Sequence, residues 1–306
     1  MMSSNASAER QEFSGAAYAI AGWHAVRLSP DELASLRKSP TPLPAAVQAP
    51  SLKHSEDQTV AALAALCRAM HGGELAAVDY DTWGIVASSR FLGRGAVVST
   101  IEKYAKEGPW GVSMQVTPHH TVHAISSTLS LALQCHGPCI GAGGGPHDES
   151  SAVLAAISLL QRPSVRGVWL IFTGWEPEMT IDRAGRPTAA AECVAAALAM
   201  LPAPPAQHHS ALRIVRQPHR HRQPSSPAVE PVRLTRLFSE AARTPASAVS
   251  LRADLGGSLR MELELRPAIA ATTIPGQTAA LLPAPHFPVG SVVREQTPAT
   301  RSATTL

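Results

Sequence analysis

The sequence predicts an α/β fold, a mixed sheet of about five strands with helices on both faces. Three observations carry this expectation. Short apolar runs rich in β-formers, Trp83–Ser88 and Gly167–Thr173, stand between segments with helical periodicity. Strands and helices alternate in this way up to about residue 201. Apolar residues make up 45% of the 306, enough for a large core, while aromatics at 4% leave alanine, leucine and valine to fill it.

In chain order, residues 1–14 read as a disordered start without an apolar signal-peptide core. Ala16–Leu28 is expected to be a strand. The proline-rich stretch 29–50 reads as a surface loop with one helical turn at Pro30–Leu36. Ser55 and Gln58 have capping-box spacing, and Val60, Leu63, Ala64, Cys67 and Met70 form a helical stripe that Gly72 and Gly73 end. Gly95–Glu107 is expected to be a second helix. His120–Gln134 is a third, with Val122, Ile125, Leu129 and Leu133 as its apolar stripe.

Gly137-Pro138 breaks the chain before a short strand, Cys139–Ala142. After Gly143–Gly145, Asp148–Gln161 is apolar nearly all round, as in helices enclosed on both sides. Glu176–Pro187 is a polar excursion, and alanine-rich Thr188–Met200 reads as a helix. Residues 202–230 are a proline- and histidine-rich connector around one strand, Ala211–Val215. An appendage at 231–266 carries a helix (Val232–Ala242) and a hairpin, Ala248–Ala253 with Leu259–Leu265 around Gly256-Gly257. Residues 267–306, rich in Pro, Ala and Thr, read as disordered.

The formal charge of +3 points to neither nucleic acid nor membrane as a partner. The basic patch Arg213, Arg216, His219, Arg220, His221 and Arg222 reads as a solvated linker without aromatics to stack on bases. No apolar run reaches the length of a membrane span. The four cysteines, Cys67, Cys135, Cys139 and Cys193, form no CxxC pair and read as reduced thiols of a cytoplasmic protein.

Several groups invite chemistry. His119, His120 and His123 form HHxxH, which on one helix sets His119 and His123 on one face, but no third ligand is evident and no metal is expected. His208-His209 and His219-x-His221 lie in the connector and are no designed site. Gly143-Gly144-Gly145 lacks the Lys and Ser/Thr of a phosphate-binding loop and reads as a turn that lets the chain approach a neighbour. Asp148 or Ser150 is expected to cap the helix that follows. Glu176, Glu178 and Asp182 read as a solvated acidic loop.

Val116–Leu160 resembles the amino-terminal half of a β-ketoacyl synthase, of the thiolase-like superfamily. Thr117-Pro118, a helix rich in small residues, Gly137-Pro138 with its strand, and a small-residue turn into a buried helix follow one another in that family's order. Val168–Thr173 resembles its next strand, Ser55–Arg68 the helix across the front of its sheet, and Tyr18–Val26 its opening strand. The resemblance covers about residues 15–201.

It implies a thiolase-like half fold with a short α+β appendage, and a nucleophilic cysteine eight residues after the family's proline. That position is Pro146, which has neither a nucleophile nor an amide hydrogen. Cys139, at the strand start, and Cys135, at a helix C-terminus that disfavours a thiolate, are poor substitutes. No His-Gly-Thr-Gly-Thr or Asn-Ser-Phe-Gly segment follows residue 201.

The expectation is therefore a non-catalytic synthase-like protein of a fatty-acid-like, polyketide or polyene pathway, with no catalytic residue and no cofactor. It pairs as a homodimer, or as a heterodimer with a full-length ketosynthase, through a surface that includes parts of residues 120–142. An acyl carrier protein is a second candidate partner. Two alternatives stay open: an acyl-thioester hydrolase or transferase using His147 with Asp148 or a repurposed cysteine, and a structural or regulatory protein that keeps the fold.

Overall fold

A computed structural model describes residues 16–38, 52–71, 74–114, 116–145, 147–178, 191–202, 210–216, 233–243, 248–256 and 259–266. The expected disorder at 1–14 and 267–306, the Gly72-Gly73 stop, Pro146, Asp182 and most of the connector lie outside these residues.

The strands are β1 (Ala17–Leu28), β2 (Gly84–Ser89), β3 (Cys139–Gly143), β4 (Val168–Glu176), β5 (Glu192–Leu201), β6 (Ala211–Arg216), β7 (Val249–Gly256) and β8 (Leu259–Leu265). They form one eight-stranded sheet in the order β3-β2-β4-β5-β1-β6-β8-β7. β2 runs parallel to β3 and β4, and every other pairing is antiparallel. The sheet is mixed, as expected, and three strands wider, because β6 and the β7–β8 hairpin continue it beyond β1.

The alternation of side chains along the central strands builds two cores. On β4, Trp169 and Ile171 face one side and Val168, Leu170 and Phe172 the other. On β5, Cys193, Ala195, Ala197 and Ala199 face the first side, and Ala196, Leu198 and Met200 the second. On β1 a register shift lies between Ile20 and Gly22. It moves the second core from even positions (Tyr18, Ile20) to odd ones (Trp23, Ala25).

The helices α1 (Pro30–Lys38), α2 (Asp57–Met70) and α5 (Ala124–Leu133) cover the first face. Helices α6 (Asp148–Leu160) and α7 (Leu234–Arg243) cover the second. Helix α3 (Arg94–Glu107) buries no residue, and α4 (Val116–His120) is a short turn before α5.

Four expectations are corrected. The alanine-rich segment is β5, not a helix: it pairs with β4 and β1 along its whole length, and cross-strand packing outweighs alanine's helix propensity. The helix that is buried nearly all round is α2, from Gln58 to Cys67. Helix α6 exposes Ser151 and Ser158 and buries one face. The residues 30–38 form a full helix, with Glu32 and Ser29 bonding reciprocally at its start. Finally, the helix expected from His120 begins at Ala124. Val122 is 38% exposed and crosses over β3 rather than joining the buried stripe.

Gly141 explains that crossing. A Cβ built there would sit 2.3 Å from the Val122 carbonyl oxygen, so the strand and the loop touch backbone to backbone. Gly137 does the same at the strand's entry, 2.1 Å from the Trp83 carbonyl oxygen.

Candidate functional site

The turn from β3 into α6 is where the resemblance places its chemistry. Gly144 takes φ +88°, and neither it nor Gly145 has a neighbour within 4 Å of a built Cβ. Gly144 therefore serves a left-handed turn, and close approach is confined to Gly143, 2.8 Å from the Ser89 carbonyl oxygen. His147 is exposed at the N-cap with no side-chain capping bond. Asp148 is buried: its Oδ1 accepts from the Glu149 amide at 2.8 Å, and its Oδ2 has no partner. Burial pushes the Asp148 carboxyl up from its ordinary range. Ser150, the other expected cap, lies within α6. No hydrogen bond joins His147 to Asp148 among the described residues.

The thiols are set back in the core. Cys67 and Cys135 are buried, and burial pushes each thiol up to about 12. Cys193 is enclosed in the sheet and pushed well above the usual thiol range for the same reason. Cys139, at the start of β3, is partly exposed and directs its Sγ toward the Gly137 carbonyl oxygen at 3.7 Å.

The HHxxH residues do not share a helix. His119 and His120 end α4 and His123 caps α5, with a turn between them. The His120 backbone and Cβ lie against Gly93, its Nδ1 is buried without a partner, and burial lowers its pKa. The described residues bring no three His, Cys, Asp or Glu side chains together.

The acidic group at the end of β4 is not simply solvated, which corrects the sequence expectation. Glu178 is met by three arginines, with Arg233 Nη1 at 3.2 Å, Arg90 Nη2 at 3.4 Å and Arg94 Nη1 at 3.7 Å. Around them is a shallow cleft open to solvent, to which Phe91, Trp175, Glu176 and Arg236 also contribute.

Its floor is rigid. Gln58, wholly buried on α2, donates to the Arg90 carbonyl oxygen at 3.0 Å and accepts from Thr173 Oγ1 at 2.8 Å. The next residue, Phe91, has φ +55°, a costly conformation for an aromatic residue. Its ring lies under the guanidinium groups of Arg94 at 3.6 Å and Arg90 at 4.7 Å. Sequence reasoning missed this site because its two arginine pairs, Arg90 with Arg94 and Arg233 with Arg236, lie far apart in the chain and neither belongs to a motif. Only Glu176, at the end of β4, with Glu178 and Asp182 after it, hinted at the site.

No protein-family model and no curated sequence matches the chain. Solved structures with a similar arrangement include a ketosynthase in complex with its chain length factor from Xenorhabdus doucetiae. There the identity is 13% and the TM-score 0.46, over 81% of this chain and 99% of that one. A β-ketoacyl synthase from Burkholderia phymatum is 15% identical with a TM-score of 0.44, over 68% of this chain and 66% of that one. The ishigamide ketosynthase/chain length factor is 14% identical with a TM-score of 0.41, over 65% and 67% of the two chains.

Proposed function

We propose that this chain is a ketosynthase-like subunit that acts without catalysis of its own, as a partner or scaffold in fatty-acid-like, polyketide or polyene assembly. The observation that carries the reading is the edge of the sheet at β3. Among the described residues this strand pairs with β2 on one side only, and an unpaired parallel edge is a template for a further strand. Helix α5 packs beside it and presents Leu131, 73% exposed, while Val122 lies over it. The open strand and its apolar flank fall within the 120–142 surface on which the synthase resemblance puts subunit pairing.

The site chemistry agrees with that role. Three of the four thiols are held neutral by burial, and a neutral thiol is a poor nucleophile. The partner is a second copy or a full-length ketosynthase, and an acyl carrier protein is the further partner the reading implies. An alternative reading rests on Cys139, the one thiol that is not buried. It makes the chain an acyl-thioester transferase or hydrolase.

Mass spectrometry after incubation with acyl- and malonyl-loaded carrier protein separates the two. The scaffold reading expects no covalent adduct, together with co-purification of a co-expressed ketosynthase. A stoichiometric acyl adduct on Cys139, His147 or any serine would overturn it.

A further inference from the structure

We propose that the cleft between β4, α3 and α7 is a binding site for a phosphate monoester on a small organic molecule, with Glu178 as its internal placeholder. The inference does not depend on the partner role above.

Among the described residues, four arginines line the cleft beside two carboxylates, Glu176 and Glu178, and one of the four, Arg236, also pairs with Glu240. Three of them converge on one carboxylate. A carboxylate has one charge and two oxygens, whereas a phosphate monoester brings nearly two charges and three terminal oxygens, one for each guanidinium.

The fit around Glu178 is loose. Its three contacts, at 3.2 to 3.7 Å, are longer than the 2.7–2.9 Å of a strong charge-assisted hydrogen bond. A guest with more charge draws the same groups closer. The arginines remain reachable, with side chains 27% to 38% exposed.

The site is also preorganised. Gln58, itself held by the Thr173 hydroxyl, donates to the Arg90 carbonyl, and the strained Phe91 turn sets Arg90 and Arg94 against one ring. Backbone strain held in place by buried bonds is characteristic of ligand clamps. Phe91 and Trp175 give the cleft apolar wall for an organic body. Behind it, Asp148 and Glu149 do not cancel the positive charge. Burial pushes both carboxyls toward the neutral form, and Glu149 is taken up by the amides that open α7.

The test is isothermal titration calorimetry of the full chain with phenyl phosphate, with benzoate and a single-stranded oligonucleotide as competing probes. Saturable binding of phenyl phosphate in preference to benzoate is expected. Glu178→Gln removes the internal competitor and tightens it by about tenfold, and Arg94→Gln weakens it by about tenfold. Both positions are partly exposed, and circular dichroism confirms that each variant is folded. Affinity unchanged in Glu178→Gln, or no saturable heat in either protein, overturns the proposal. So does an oligonucleotide that binds more tightly than phenyl phosphate, since the class of ligand is then wrong.

Discussion

Glu149, in the first turn of α6, caps another helix: its carboxylate accepts from the backbone amide and the hydroxyl of Thr235 and from the Leu234 amide, at the start of α7. Helix α7 lies far along the chain from α6, and this cap fixes where it enters the second core. Phe238 then stacks on Phe172 with ring centroids 5.5 Å apart. Replacing Glu149 by Ala strands two amides and a hydroxyl beside buried surface. A loss of about 1–3 kcal/mol is expected, read as a lower urea midpoint. A midpoint equal to that of the unaltered chain would mean that packing alone places α7.

Glu56 links stability to pH. It caps α2 by accepting from the Gln58 amide at 2.5 Å, the role that sequence spacing had given to Ser55. Burial raises its pKa to about 7, with neighbouring Asp57 adding to the rise and Arg37 opposing it. A carboxyl whose folded pKa exceeds its unfolded value binds more protons when folded. Its contribution therefore favours the fold at low pH and is lost as pH rises from the ordinary carboxylate range through about 7. Glu56→Gln keeps an acceptor for the amide but carries no charge. Its stability relative to the unaltered chain should improve between pH 5 and pH 8, followed by thermal melts across that range. A constant difference would show that Glu56 ionises freely.

Thiol chemistry should be confined to one residue. In the folded chain, Cys139 is the expected site of reaction with a small disulfide reagent, because the other three cysteines are buried. One equivalent should react under native conditions, none in Cys139→Ser, and all four in denaturant. Rapid native labelling of Cys67 or Cys193 would contradict their placement.

Leu131 tests the pairing surface. A leucine 73% exposed on α5 beside an open strand gains by being covered. If the chain pairs as proposed, Leu131→Asp should sediment as a monomer where the unaltered chain does not, with its unfolding free energy within about 0.5 kcal/mol of the unaltered value. An unchanged assembly would move the interface elsewhere.

Gly141 has no room for a methyl group, because the Val122 carbonyl lies 2.3 Å from where a Cβ would be. Gly141→Ala should cost about 1–3 kcal/mol, read by chemical denaturation, since backbone must move to accept it.

Much of the architecture was legible in the chain. β2, β3 and β4 stood out as short apolar runs, and α3 and α6 were located to within a residue or two of their bounds. The hairpin of β7 and β8 was marked by its glycine pair. Legibility failed at β5. Val194 to Ala199 is mostly alanine, the strongest helix former by local propensity. Yet in a sheet covered on both faces, alanine is what lets α2 lie close against β5. The site divided in the same way. Cys139, His147 and Asp148 were weighed because the synthase resemblance drew attention to the β3–α6 turn, whereas the arginine cleft was not named at all.

The sequence by itself determined the periodicities, and with them the number and kind of most elements on the amino-terminal side. It also determined which chemistries Pro146 forecloses, because these follow from side chains within a few residues of one another. Only the tertiary structure decided that an alanine run is a strand, that Gln58 braces Arg90 rather than capping its own helix, and that arginines just after β2, at the start of α3 and at the entry to α7 meet at Glu178. Each of these depends on groups distant in sequence becoming neighbours, and burial and charge, unlike propensity, act through space.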